Sequence, residues 1–316
     1  MKKRNIIMDC DPGIDDAIAL IFAIANDDKL NILGISTVAG NLSSDVVTNN
    51  ALALTEVLGR SDIPVARGAR KPLLRTLSTA GDIHGKYGLG SYELPKPKRK
   101  EEKEHAVVFM RNLIMNASQM VTLVPTGPLT NIALLLHMYP EVKEKIELIC
   151  LMGGASKGGN VTKTGEFNIW ADPEAASIVY QSGLPIVMCG LDVTTKSGFC
   201  REQAAYLKNC EGFIGKMCGE MLEFYLDCPH YKDKMLASIH DASTIMYLLH
   251  PEIYKVVRME VEVDCSEHLN RGMTVCDFNK IVEKDKEGIN VLMDVDTKLF
   301  EFYLMEGIET INQRLL

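Results

Sequence analysis

The sequence predicts an α/β fold: one open, mostly parallel sheet with helices on both faces and a site at the C-terminal strand ends. Three observations predict it. Short β-branched apolar runs alternate with longer helical patterns along the chain, as in parallel strands joined by helical crossovers. Strand after strand ends in Gly or Pro beside Asp, Asn or Thr, at Asp11, Asn41, Thr126, Gly153 and Asp192. The stretch Asp9-Cys10-Asp11-Pro12-Gly13-Ile14-Asp15-Asp16 sets four carboxylates in eight residues, between a strand and a helix. In open α/β sheets that edge is where ligands bind.

Ile6-Ile7-Met8 is short and β-branched, so it reads as a buried strand, with Pro12-Gly13 as the turn after it. Ala17 to Ala25 is apolar all round, the pattern of a helix buried on every side. Residues 31–38 form a second strand, ending at Ala39-Gly40-Asn41. A helix over 45–58 is capped by Ser43, Ser44 or Asp45 and stopped by Gly59. A short strand at 63–66 precedes a polar, Gly- and Pro-rich connection over 68–100, a length that is usually functional or disordered. A helix at 104–116, a strand at 121–124, a helix to His137 and a strand at 146–152 follow. Gly153-Gly154 opens a Gly-rich loop that runs to Trp170. Asp172-Pro173-Glu174 starts the next helix, with Asp as cap and Pro in the first position. A strand at 185–189, helices near 211–226 and 240–249, strands at 257–263, 272–278 and 289–295, and a helix at 297–315 complete the chain. No repeat, low-complexity segment or linker interrupts residues 1–316, which predicts a single domain.

Of the 316 residues 47% are hydrophobic, enough for a sizeable core. The net charge of −8 argues against a nucleic-acid backbone or an anionic membrane as partner. No apolar run has the length of a transmembrane helix. The acids from Asp9 onward break the apolar stretch behind Met1-Lys2-Lys3-Arg4, so no signal peptide is expected. Nine scattered cysteines without a CxxC pair read as small core residues in a reducing cytoplasm.

Carboxylates crowded as they are between Asp9 and Asp16 repel one another, and burial raises the cost of their charged forms further. A helix N-terminus offsets roughly 0.3–1 kcal/mol per charge. The remainder calls for a cation, and Asp oxygens suit a hard ion, Ca²⁺ or Mg²⁺, rather than zinc. Asp15 or Asp16 alone reads equally well as a solvated cap; four acids wedged between two apolar segments favour the metal. A strand-end cleft lined with oxygen and amide groups and bare of Lys and Arg should hold a cation and a neutral polyhydroxylated ligand, not a phosphate.

Together these residues resemble the nucleoside hydrolases of the inosine–uridine-preferring type. The resemblance rests on the residues from Asp9 to Ala17, on Val38-Ala39-Gly40-Asn41, and on Val124 to Asn131. It continues at Gly153-Gly154 with Asn160, Gly165-Glu166-Phe167-Asn168, His240-Asp241-Ala242 and Arg271 to Val275, in order along nearly the whole chain. It implies a Rossmann-like domain that hydrolyses the N-glycosidic bond of ribonucleosides with one Ca²⁺. Asp11, Asp16 and Asp241 would be side-chain ligands, and Thr126 would give its backbone carbonyl. Asp11 would also take the proton of the attacking water. Asp15, Asn41, Asn160, Glu166 and Asn168 would hold the ribose, with Glu166, Phe167 and Asn168 toward its 5′ end and Met152 packed against it. His240, with a pKa near working pH, would be the general acid at the base, and His84 would also face the base. The same resemblance implies a pyrimidine or mixed base preference, and a homodimer or homotetramer. Water activation and ribose binding also fit the acidic cluster read by itself; the acid role of His240 rests mainly on the resemblance. The role of Asp9 stays open, behind the ligands or as a helix cap, and so does the choice between Tyr225 and Tyr231 for the base pocket.

Two other classes compete. Asp9-Cys10-Asp11 after an apolar strand also suits a haloacid-dehalogenase-type phosphatase, but that family expects Thr or Val where Gly13 stands and a later phosphate-binding Lys. The non-enzymatic reading is a Ca²⁺-dependent nucleoside or ribose sensor, which would bind without releasing ribose. Asp241 as a plain cap and His84 as a surface histidine are the bland readings of those residues.

Overall fold

Strand and helix alternate along the computed structural model, which describes residues 3–231, 234–282 and 288–316. The strands are β1 (Arg4–Cys10), β2 (Leu30–Thr37), β3 (Val65–Arg67), β4 (Val121–Pro125), β5 (Ile146–Met152) and β6 (Ile186–Cys189), then β7 (Gly198–Phe199), β8 (Ala237–Ser238), β9 (Tyr254–Val263), β10 (Thr274–Ile281) and β11 (Ile289–Val295). The helices are α1 (Ile14–Ala25), α2 (Ser44–Val57), α3 (Gly81–His84), α4 (Ala106–Asn116), α5 (Thr130–Met138) and α6 (Phe167–Ala171), then α7 (Pro173–Tyr180), α8 (Leu191–Thr194), α9 (Arg201–Asn209), α10 (Phe213–Asp227), α11 (Ala242–Leu249) and α12 (Thr297–Arg314).

Nine strands form one sheet in the order β10-β9-β11-β6-β5-β4-β1-β2-β3. The run from β11 to β3 is parallel, and β9 and β10 pair antiparallel at one end. That end is where the chain stops alternating, since β9 passes to β10 without a helix between them. The inner strands are buried on both faces, so β4 (Val-Thr-Leu-Val-Pro) is buried at every residue. Helices α1, α2 and α9 to α12 supply one apolar layer, and α4, α5 and α7 supply the other. All twelve residues of α1 are buried, as its all-round apolarity predicts.

Topology fixes where a ligand can sit. From β1 the chain builds outward to β2 and β3, then returns through residues 68–105 to lay β4 against the other side of β1. The order reverses at β1 and β4, which opens a crevice beyond their C-terminal ends. Asp11 follows β1 there, and Thr126 follows β4.

Four helices escape the sequence reading. α3, α6 and α8 span only four or five residues, too short to show a 3.6-residue period. α9 buries only Ala204 and Leu207, so its apolar stripe is thin. The cysteines are all free and five of them are buried, in keeping with the core reading. Among the described residues no helix is long and apolar enough to cross a membrane.

Candidate active site

Asp11 lies at the centre of the crevice, with no exposed surface. Two glycines make room for it: a Cβ on Gly40 or Gly127 would collide with its carboxylate oxygens. Asp11 Oδ2 accepts from Asn41 N at 2.6 Å, while Oδ1 is buried without a partner. Asp15 and Asp16 stand in the first turn of α1. Asp16 accepts from Thr126 Oγ1 at 2.8 Å, Gly13 N at 3.1 Å and Asn41 Nδ2 at 3.2 Å. Asp15 Oδ1 has no hydrogen-bond partner. Asp241 occupies the N-cap position of α11, yet its side chain caps nothing, which removes the bland reading.

Asp15, Asp16 and Asp241 each aim an oxygen into one spot, all within 4.8 Å of one another. The expectation gave that place to Asp11, Asp16 and Asp241 and turned Asp15 to the ribose. Here Asp15 stands in the converging group, and Asp11 lies beside it with one free oxygen. Burial, with the Asp16 charge next, pushes the Asp15 carboxyl up to about 8 and Asp11 well above the usual carboxylate range. Burial leads at Asp241 as well, with the charges of Asp15 and Asp16 adding to it. Oxygen-only donors, partnerless buried oxygens and mutual repulsion fit a hard metal ion. The Thr126 carbonyl, expected as a ligand, accepts Asn168 Nδ2 at 2.7 Å and keeps a second lone pair.

Asp9 caps no helix and stands outside the converging group of Asp15, Asp16 and Asp241. Its Oδ1 accepts from Ser36 Oγ at 2.6 Å and Asn131 Nδ2 at 2.8 Å, tying β1 to β2 and α5 beneath the site. Burial outweighs those two bonds and raises the carboxyl to about 6.

Above the acids opens a cavity with about 560 Å³ of empty space, the open solvent at its mouth included. Asp15, Asn41, His84, Met152, Asn160, Glu166, Phe167, Asn168, His240, Asp241 and Thr126 all line it, so the structure brings together residues spread over most of the chain. Asp11 and Asp16 are sealed behind them at 0% and 2% exposure. Glu166 caps the short helix α6, accepting from Asn168 N, Ile169 N and Gly154 N. Asn160 Oδ1 accepts from Phe167 N at 2.9 Å, closing the Gly-rich loop over α6. Behind that helix the Arg271 guanidinium lies 4.3 Å over the Trp170 ring and its Nε donates to Trp170 O. The Asn41 amide is engaged with Asp11 O and Asp16, so it orients acids as well as facing the cavity.

The opposite pole is aromatic. His84 is buried on α3, its Nδ1 accepting from Ile14 N at 3.2 Å, and is not a surface residue. Burial lowers its pKa to about 4. Both tyrosines in question line the cavity: the Tyr231 hydroxyl donates to Tyr225 Oη at 3.4 Å and meets His240 Nε2 at 3.0 Å. His240 Nδ1 meets Thr194 Oγ1 at 2.8 Å. Burial first, then the charges of Lys234, His230 and His84, push the His240 pKa down to about 3. This corrects the expectation of a pKa near working pH: the imidazole is neutral there. Tyr231 and Thr194 were not singled out for this chain of bonds because their partner, His240, is distant in sequence from Thr194 and across a loop from Tyr231.

A family profile described as inosine-uridine preferring nucleoside hydrolase matches residues 6–301. This chain belongs to that family. A pyrimidine-specific ribonucleoside hydrolase RihA from Shewanella sp. (strain MR-4) is 43% identical over 309 residues, 96% of each chain. Its counterpart from Photobacterium profundum is 41% identical, over 96% of this chain and 98% of the other. Among solved structures, a purine-preferring ribonucleoside hydrolase from Gardnerella vaginalis superposes with a TM-score of 0.91 at 30% identity, covering 98% of this nucleoside hydrolase and all of that chain. The chain is thus a ribonucleoside hydrolase by family, and the phosphatase and sensor readings fall away.

Proposed function

We propose that this nucleoside hydrolase cleaves the N-glycosidic bond of pyrimidine ribonucleosides, with some tolerance for purines, and releases ribose and free base with Ca²⁺ as cofactor. One observation carries it: a single cavity joins a buried carboxylate pole, Asp15 and Asp241, to a phenol–imidazole pole, Tyr231 and His240. N-glycoside hydrolysis needs negative charge beside the ribose and a proton for the base.

When bound, Ca²⁺ supplies the positive charge the acids lack and orders water and ribose hydroxyls beside them. The chain's own residues do the rest. Asp11, raised by burial and holding one free oxygen, takes the proton of the attacking water. Glu166, Asn168 and Asn160 hold the sugar, and Met152 packs under it. At the base, Thr194 donates to His240 Nδ1, and His240 Nε2–H donates to the Tyr231 oxygen. That tautomer leaves the Tyr231 proton, held in this structure by Tyr225 Oη at 3.4 Å, to turn to the departing base. The pyrimidine assignment draws on the names of the Shewanella and Photobacterium relatives; the tolerance for purines draws on the Gardnerella structure. Nine unpaired cysteines support a reducing cytoplasm, and the family resemblance supports a homodimer or homotetramer.

Uridine, cytidine and inosine incubated with the protein, before and after EDTA and again with added Ca²⁺, test the reading through free ribose. Release that is faster for the pyrimidines, lost in EDTA and restored by Ca²⁺ is expected. Binding of nucleoside without any ribose would refute it.

A further inference from the structure

Tyr231 carries a cation over its ring. Lys234 folds back so that its ammonium lies 4.6 Å from the Tyr231 ring centre, and its backbone N–H donates to Tyr231 O at 2.8 Å. The same ammonium meets His230 Nε2 at 2.8 Å. An ammonium only donates, so His230 accepts and is neutral. Burial and the Lys234 charge both hold the His230 pKa below its ordinary value. The His230 ring also meets the Tyr231 ring edge-on, 4.9 Å between centres. Among the described residues no carboxylate forms an ion pair with Lys234.

We propose that Lys234 is a positioning residue for the leaving-group proton: fixed over the Tyr231 ring by His230, its ammonium makes the phenol a stronger donor to the departing base. The inference rests on the role given to Tyr231 above. As the bond from ribose C1′ to the base nitrogen breaks, its electron pair goes to the base, and the phenol proton follows it. Water adds to C1′ and gives its proton to Asp11. Solvent later returns one proton to the Tyr231 oxygen and takes one from Asp11. Negative charge grows on the phenol oxygen during this transfer, and a cation over the ring offsets it. Lys234 itself neither gives nor takes a proton.

The test compares two leaving groups. Uracil needs a proton to depart, whereas p-nitrophenolate, from p-nitrophenyl β-D-riboside, does not. In the full-length enzyme with Ca²⁺, Y231F should lose about a hundredfold in kcat/KM on uridine. K234M should lose about fivefold on uridine and less than about twofold on the nitrophenyl riboside, with K234R restoring the uridine rate. Equal losses by K234M on both substrates would mean that Lys234 only holds the loop, and would overturn the proposal. An unchanged uridine rate in K234M beside a damaged Y231F overturns it too and leaves the phenol its role. If Y231F itself hydrolyses uridine at the wild-type rate, the role of the phenol fails and Lys234 has nothing to act through.

Discussion

His240 Nε2 lies 3.0 Å from the Tyr231 hydroxyl, and the imidazole between that phenol and Thr194 is neutral at working pH. In the mechanism proposed above, the proton reaching the base therefore leaves a phenol, and the imidazole orients it. His240→Ala should lower kcat on uridine by about a hundredfold, within the range for a lost proton donor. Thr194→Val, which removes the partner of His240 Nδ1, should cost less, about tenfold. Because His240 ionises only near pH 3, wild type and Thr194→Val should give rate profiles of the same shape from about pH 5 to about pH 8. A wild-type activity that tracks a group titrating near pH 6.5 and loses that limb in His240→Ala would contradict this.

Asp11→Asn keeps the size of the side chain and its acceptor for Asn41 N, but loses the base. We expect kcat to fall about a thousandfold. The circular dichroism spectrum and the melting temperature in EDTA should stay close to wild type. Activity within tenfold of wild type would remove Asp11 from the role of base.

The metal-free protein should become less stable as pH rises. Asp9 and Asp15 have folded-state pKa values raised from 3.8 to about 6 and about 8, with burial as the main cause. Between its unfolded and folded pKa, such an acid binds more protons in the folded state, so folding weakens with increasing pH. Asp9 alone accounts for about 3 kcal/mol between about pH 4 and about pH 6. Melting temperatures in EDTA should fall across about pH 4 to 8, and Asp9→Asn should flatten the lower part of that slope. Added Ca²⁺ should raise the melting temperature more at pH 8 than at pH 6. A calcium shift that is the same at both values would show that the acids do not bind the ion.

Glu166→Gln tests the ribose end. Glu166 accepts three backbone N–H groups, and Gln turns an amide donor toward some of them. A loss of about 1–2 kcal/mol in stability is expected from urea unfolding, with KM for uridine rising more than kcat falls. A lower kcat at unchanged KM would place Glu166 in the chemistry instead.

Periodicity alone carried most of the fold. The all-round apolar stretch of α1 and the β-branched runs of β1, β2 and β5 appear in the sequence within a few residues of their ends. The motifs carried most of the site, since Asp11, Asn41, Thr126 and Asp241 follow strand ends or precede helices whose geometry is standard. Neither signal reaches the base pole. Tyr231 sits in a segment without periodicity, and Thr194 in a helix of one turn, so only the folded chain brings them to His240. Neither signal could give the low pKa of His240, because burial by neighbours distant in sequence sets it. Asp11 and Asp15 both follow the same strand, and which oxygen of each faces the cluster turns on where α1 begins.

Trp170 is the only tryptophan in the chain, and it lies on α6 two residues beyond Asn168, under the Arg271 guanidinium. The enzyme thus carries its own optical reporter on the short helix whose Phe167 and Asn168 line the cavity. Its emission, sensitive to the cation above the indole, should change when ribose or an intact nucleoside settles on Glu166 and Asn168. Occupancy can then be followed in real time without a label, and sugar binding timed separately from bond cleavage.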